Sequence, residues 1–259
     1  DGGLGKRELG VVIAPTGAGK SMILVPLGAQ ALKMGLNVVY YTLELSEEVV
    51  GQRFDSCISE VFLNDLKAQK TKVYDDISKI EGKLIIKEYP TKSASVNTIR
   101  SHLERVRQRD FEPDMILVDY GDILRPVKHN SEKRHELQEI YEQLRAISQE
   151  FNCPVWTASQ TNRSGLNAEV VTMESISEAF SKCFVADFIF SLSRTIEDKT
   201  ANTGRIFIAK NRNGPDGIVY PVFMDTSNVC IKVLSSQVSQ SVPSGSTESI
   251  KERMRKIRR

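Results

Sequence analysis

Residues 14–21 read APTGAGKS, between the apolar run GVVIA (residues 10–14) and a helix-forming stretch that reaches about Met34. Closely spaced glycines let the backbone curl so that successive N–H groups face inward, a cradle for phosphate oxygens. The helix that follows adds the positive end of its dipole. This is the phosphate-binding loop pattern with Ala in place of the first Gly. By average residue usage it arises by chance in roughly 0.02 of chains of this length. Apolar runs without alternation, such as GVVIA, suit strands covered on both faces. Gly35 suits the C-terminal cap of the helix, and Pro26 inside it predicts a bend.

The rest of the chain repeats this alternation of strand and helix. Residues 37–43 (NVVYYTL) read as a second buried strand. Ser46 can cap the next helix, with Glu47 and Glu48 in its first turn. Further strands are expected over residues 84–88, 114–119 (DMILVD) and 154–160 (PVWTASQ). A helix starting at Ser95 or Asn97 ends near Gln108, and a long amphipathic helix covers residues 131–151. Residues 188–192, 205–210, 218–224 and 228–234 read as strands alone, with turn signals at Asn213-Gly214 and Asp216-Gly217. The order predicts an α/β fold: a mostly parallel sheet between helices, extended by antiparallel hairpins at one edge. One domain is expected over residues 1–234, followed by a tail over residues 235–259.

Composition narrows the partners. The chain has 259 residues, 40% hydrophobic and 26% charged, which excludes collagen-like, disordered and disulfide-scaffold classes. No apolar run is long enough for a membrane span. Cys57, Cys153, Cys183 and Cys230 are far apart, with no C-x-x-C pair, and read as reduced thiols. His102, His129 and His135 lack metal-ligand spacing. The first residue is Asp1, which suggests an excised domain, and no signal peptide is evident. Net charge is +2, but residues 248–259 carry six basic and two acidic side chains. The body holds the other 29 basic against 31 acidic, so a nucleic-acid site there is a local patch. Residues 235–247 are uncharged and serine-rich, a linker composition. Ile250, Met254 and Ile257 share one helical face, so the basic end is either a partner-bound helix or a solvated tail.

Several side chains carry chemistry at the expected sheet edge. The loop residues Thr16, Gly17, Ala18 and Gly19 cradle phosphate, Lys20 reaches the terminal phosphates, and the Ser21 hydroxyl ligates Mg²⁺. Asp119 ends a parallel strand on the ligand-binding edge and can hold a metal-bound water. Glu44, just past the second strand, suits the base that orients an attacking water. Gln160, at another strand end, can touch the γ-phosphate. Lys210 and Arg212, in KNRNGP, lie on alternate positions of a strand end and point the same way. They come late in the chain, so supply across a subunit interface, as an arginine finger, is the natural geometry. Each has a plainer reading: a strand-ending cap for Asp119, a helix-start carboxylate for Glu44, a polar strand end for Gln160, a charged turn for Lys210 and Arg212.

Together these segments resemble the C-terminal motor domain of DnaB-type hexameric replicative helicases, phage members in particular. The match runs through GGLGKRELGVVIAPTGAGKS, YTLELS, MILVDYGDIL, VWTASQTNRS, ADFIFSLSR and AKNRNGPDGIV. The resemblance implies a RecA-like fold, a six-subunit ring, ATP and Mg²⁺ held between subunits, and single-stranded DNA in the central channel. It makes Glu44 the catalytic glutamate, Asp119 the metal-linked aspartate, Gln160 the γ-phosphate sensor, and Lys210 and Arg212 the groups that serve the neighbour's ATP. Arg53, nine residues after Glu44, matches a family arginine that contacts phosphate; the plainer reading is a surface ion pair. The family also implies 5′→3′ movement, a primase or loader partner, and the cytoplasm of a bacterium or phage-infected host.

DNA contacts are expected in two loops. The first carries Arg125, Lys128, Lys133 and Arg134 against Glu132, a basic patch suited to phosphates or simply a solvated helix start. The second, residues 163–182, offers backbone N–H groups around Ser177 and Glu178. There the sequence reads SEAFS where bacterial members have a segment like RESGS. Two alternatives stay open at this level: a RecA/RadA-like recombinase, which KNRNGP argues against, and a RecA-like ATPase that regulates a protein partner, which the near-neutral body favours.

Overall fold

A computed structural model describes residues 3–128, 132–161 and 183–234. Its centre is a nine-stranded sheet in the order β3-β2-β4-β5-β1-β6-β7-β8-β9. The strands are β1 (Leu9–Ala14), β2 (Val38–Thr42), β3 (Leu84–Glu88), β4 (Met115–Asp119), β5 (Val155–Gln160), β6 (Phe188–Ser193), β7 (Thr203–Asn211), β8 (Val219–Asp225) and β9 (Cys230–Val233). Those from β3 to β6 run parallel, and β6 to β9 form the antiparallel extension. Expectation and structure agree on every strand, with bounds that differ by a residue or two.

Burial on both faces follows from the apolar runs. In β1, Leu9, Val11 and Ile13 join one core, while Val12 and Ala14 join the other. The first core is covered by α4 (Val96–Arg107) and α5 (Lys133–Glu150), the second by α1 (Lys20–Lys33) and α2 (Glu47–Ser59). Neighbouring tyrosines in β2 show the split. Tyr40 packs edge-on against Phe54 of α2 at 5.7 Å, whereas Tyr41 meets His102 of α4 at 5.5 Å. On α4 the buried residues Val96, Ile99, Leu103 and Val106 fall on one stripe. Ser95 caps it in a reciprocal arrangement with Thr98.

Helix α1 runs unbroken through Pro26, and Gly35 follows it at φ 78°. Ser46 caps α2 by accepting from the Val49 N–H. Among the described residues, two short α-helices have no counterpart in the sequence reading, α3 (Lys70–Ile77) and α6 (Ile196–Thr200), and neither do the single 3-10 turns Leu63–Asp65 and Gly121–Ile123. In α3 only Val73 is buried, so no apolar stripe announces it. The expected tail, and the loop with Ser177 and Glu178, lie outside the described residues.

Candidate functional site

Strand alternation gathers the site on one edge and one face. Leu117 and Asp119 of β4, and Ala158 and Gln160 of β5, point to the α1 side, as Leu117 and Ala158 in that core show. Register sets their depth: Ala14 lies beside Gln160, and Thr42 beside Asp119. The Leu43 N–H donates to the Asp119 carbonyl at 3.0 Å, and the chain then turns out to the exposed Glu44.

The loop between β1 and α1 has the conformation its glycines permit. Gly17 has φ 74° and Gly19 φ 104°, left-handed values that tax any side chain. A Cβ on Gly19 would stand 2.4 Å from Met224 Cε, so that methyl would also have to move aside. Lys20 begins α1, and its ammonium lies 3.4 Å from Gln160 Oε1 and 5.0 Å from the centre of the Tyr120 ring. The Gln160 amide in turn donates to the Thr16 hydroxyl. Loop, helix start and β5 end are therefore tied by a neutral amide that touches both a loop hydroxyl and the lysine.

Asp119 is fully buried. Tyr40 donates its hydroxyl to Asp119 Oδ2 at 3.0 Å, but Oδ1 meets no donor in hydrogen-bonding geometry. Burial pushes the carboxyl above the usual carboxylate range. The Ser21 and Tyr40 hydroxyls pull it back, Glu44 adds to the rise, and Arg53 opposes it. These influences put Ser21, Glu44 and Arg53 around one carboxylate. An unsatisfied buried carboxylate oxygen beside a serine hydroxyl suits a hard divalent cation, so the residues present fit Mg²⁺.

Tyr120, next after Asp119, has a phenol pushed up to about 12 by burial first, then by Glu44, Asp122 and Asp119. Asp122 accepts from Tyr141 of α5 at 2.6 Å, from the Ser159 hydroxyl at 3.3 Å and from the Gln160 N–H at 3.0 Å. It ties the loop after β4 to the end of β5. None of Tyr40, Tyr120 and Asp122 was singled out from sequence. Tyr40 reads as one more core aromatic, and only Asp122, a carboxylate three residues past Asp119, left a visible signal.

Lys210 and Arg212 are elsewhere. Asn211 pairs with Phe188 and Gly10 with Phe188, so the end of β7 lies at the start of β1, on the edge opposite the phosphate loop. A six-residue strand separates the two edges by roughly 17 Å. Lys210 donates to the Phe184 carbonyl at 2.7 Å and sits 4.7 Å from the centre of its ring. Burial lowers its pKa, Arg212 and Arg145 add to the lowering, and Asp187 opposes it. Arg212 pairs with Asp187 at 2.7 Å, and its side chain is 50% exposed.

Residues 1–229 match the family model for the DnaB-like helicase C-terminal domain. The chain belongs to that family. A DnaB-like replicative helicase of Enterobacteria phage T4 is 32% identical over 225 residues, 82% of this chain and 47% of that protein. The replicative DNA helicase DnaB of Geobacillus stearothermophilus is 27% identical over 256 residues, 94% of this chain and 56% of its own length. The DnaB-like domain thus spans about half the length of the curated relatives it matches. A solved structure of an ATPase domain is similar to it with a TM-score of 0.75 at 19% identity, covering 89% of this chain and 86% of that one. A DnaB-like replicative helicase, solved in a study of its interactions with primase, also gives 0.75, at 18% identity, with 88% and 58% covered. The fold is RecA-like. These relatives support the helicase reading and lend nothing to the recombinase or regulatory alternatives.

The basic patch is at the surface. Arg125, Lys128 and Arg134 are all exposed, the last in the first turn of α5. The Arg125 N–H donates to the Ala94 carbonyl at 2.8 Å. Its side chain lines a cleft of about 590 Å³ with Arg105, Ser95 and Asn97. Among the described residues no group of histidine, cysteine and carboxylate side chains forms a further metal cluster, and no helix is long and apolar enough to cross a membrane.

Proposed function

We propose that this DnaB-like domain is the ATP-hydrolysing motor of a replicative DNA helicase, acting in a six-membered ring around single-stranded DNA. One observation carries the reading. Phosphate-loop groups occupy one edge of the sheet and the Lys210–Arg212 pair the other, so a site that uses both needs two subunits.

In that site the 16–19 backbone and the Lys20 ammonium bind the phosphates, and Arg53 reaches them from α2. Ser21 and Asp119 would hold Mg²⁺, which neutralises charge on the phosphate oxygens when bound. Glu44, exposed at the rim, orients the attacking water and takes its proton. Gln160, held by Thr16 and Lys20, contacts the terminal phosphate and passes its loss to Asp122 and the loop after β4. Arg212 and Lys210 bring positive charge to the neighbour's transferring phosphoryl group. Arg125, Lys128 and Arg134, with backbone N–H groups around Ser177 and Glu178 of the second loop, contact the strand through its phosphates. The ring moves 5′→3′ along the strand, primase or a loader docks on it, and the work is done in the cytoplasm.

The test is ATP hydrolysis by the assembled ring with and without oligo-dT. Stimulation by DNA is expected, with Lys20→Ala and Arg212→Ala each reducing turnover at least about 1,000-fold. Mixed, the two variants recover part of the rate, because a competent seam forms wherever the intact loop of one meets the intact arginine of the other. Normal turnover by Arg212→Ala in a complete ring would overturn the assignment.

A further inference from the structure

We propose that Asp187 is a positioning residue: it aims Arg212 across the subunit seam at the ATP of the neighbour. The inference rests on the two-subunit site above.

Asp187 precedes β6 and is 3% exposed. Its Oδ2 accepts from the Leu9 N–H at 3.0 Å and from Arg145 Nε at 3.1 Å. Its Oδ1 accepts from Arg145 Nη2 at 3.1 Å and forms an ion pair with Arg212 Nη1 at 2.7 Å. Two backbone bonds frame the carboxylate: Asp187 N–H to the Leu9 carbonyl at 2.9 Å, and Arg212 N–H to the Asp187 carbonyl at 3.0 Å. Arg212 is thus held at its backbone and at its guanidinium by the same residue.

A buried counter-ion that only stabilised the fold would be complete with Arg145. That guanidinium already makes the two-pronged pair with both oxygens and belongs to α5, inside the subunit. Arg212 is the surplus partner, and the only one of the two with half its side chain in solvent. Nor does the carboxylate cancel the charge it directs. Arg145, Lys210 and Arg212 set three cations against Asp187 and the nearby Glu8, which accepts from Asn213, so the cluster still keeps a net positive charge toward the seam. A fixed guanidinium also loses less freedom when the transition state forms than one on a free chain. Carboxylate, backbone clamp and surplus charge together describe a mount for a finger.

The test compares Asp187→Asn and Asp187→Glu in the assembled helicase ring. Asp187→Glu keeps the charge but moves the carboxylate by one methylene, so it guards against a simple failure to fold. For each variant that forms rings, kcat should fall about 10- to 100-fold, with KM for ATP changed less than about twofold. Mixing with Lys20→Ala subunits decides between aim and fold. The loop of an Asp187 variant is sound, so Lys20→Ala neighbours should restore turnover by lending it their arginine. A variant damaged as a folded unit fails whatever its neighbour, and absence of rescue overturns the proposal, as does wild-type kcat in Asp187→Glu rings. Arg212→Ala mixed with Lys20→Ala is the reference. If that pair does not complement, the two-subunit site is wrong; if it does and the Asp187 variants do not, only the role of Asp187 falls.

Discussion

Asp122 shows how one carboxylate couples two sheet strands. Its Oδ2 receives the Gln160 N–H and the Ser159 hydroxyl, while Oδ1 receives Tyr141. Replacing it with Ala leaves Gln160 without its backbone anchor, and misplacing such a group by about 1 Å costs as much as 100-fold in rate. Tyr141 need not be stranded, because its hydroxyl is also 3.1 Å from the Ala158 carbonyl. Asp122→Ala is therefore expected to fold, to bind ATP within about twofold of the parent and to turn over at least about tenfold more slowly. Steady-state hydrolysis beside nucleotide titration checks this, and an unchanged kcat would show that Gln160 needs no such anchor.

At the scale of elements, the contact between β2 and α4 predicts a dependence on pH. The Tyr41 hydroxyl and His102 Nδ1 are 2.9 Å apart. Burial lowers the His102 pKa from 6.5, Arg105, Lys87 and Arg109 add to the lowering, and Glu47 opposes it. The unfolded chain therefore binds a proton here at a higher pH than the folded one does. His102 contributes stability that is fully present above about pH 6.5 and is lost as pH falls toward the depressed folded value. Thermal unfolding should show a falling midpoint between about pH 7 and 5, in a window above the ordinary carboxylate range. His102→Gln keeps a hydrogen-bonding partner for Tyr41 but cannot titrate, and its midpoint should fall less than the parent's across that window. A slope equal to that of the parent would exclude His102 as the source.

Across the whole molecule, the sheet puts the phosphate loop on one edge and Arg212 on the other. If the proposed two-subunit site is right, a lone subunit has the loop without its arginine, and turnover per subunit should rise steeply at the protein concentration where rings form. Hydrolysis measured over a dilution series, with mass followed by light scattering, tests this. Arg212→Ala should assemble at the same concentration and gain nothing. Constant turnover per subunit from monomer to ring would mean that each protomer is self-sufficient. The neutral body charge fits this economy, since the basic groups are local: Arg125, Lys128 and Arg134 at one loop, Lys210 and Arg212 at one strand end.

Local chemistry alone determined the phosphate loop, the parallel strands and their helices, the antiparallel extension, and the strand-end positions of Glu44, Asp119 and Gln160. Those features repeat over a few residues, so apolar runs, glycine spacing and caps report them directly. Tertiary structure alone decided which groups share a site. The Tyr40 hydroxyl meets a carboxylate 79 residues away, and the Asp187 carboxylate meets a backbone N–H 178 residues away. No periodicity carries such pairings, because they follow from strand order and register, which packing of the whole sheet selects. The same packing put Arg212 on the far edge from Lys20, a separation that spacing along the chain suggests but that only the order β5-β1-β6-β7 imposes.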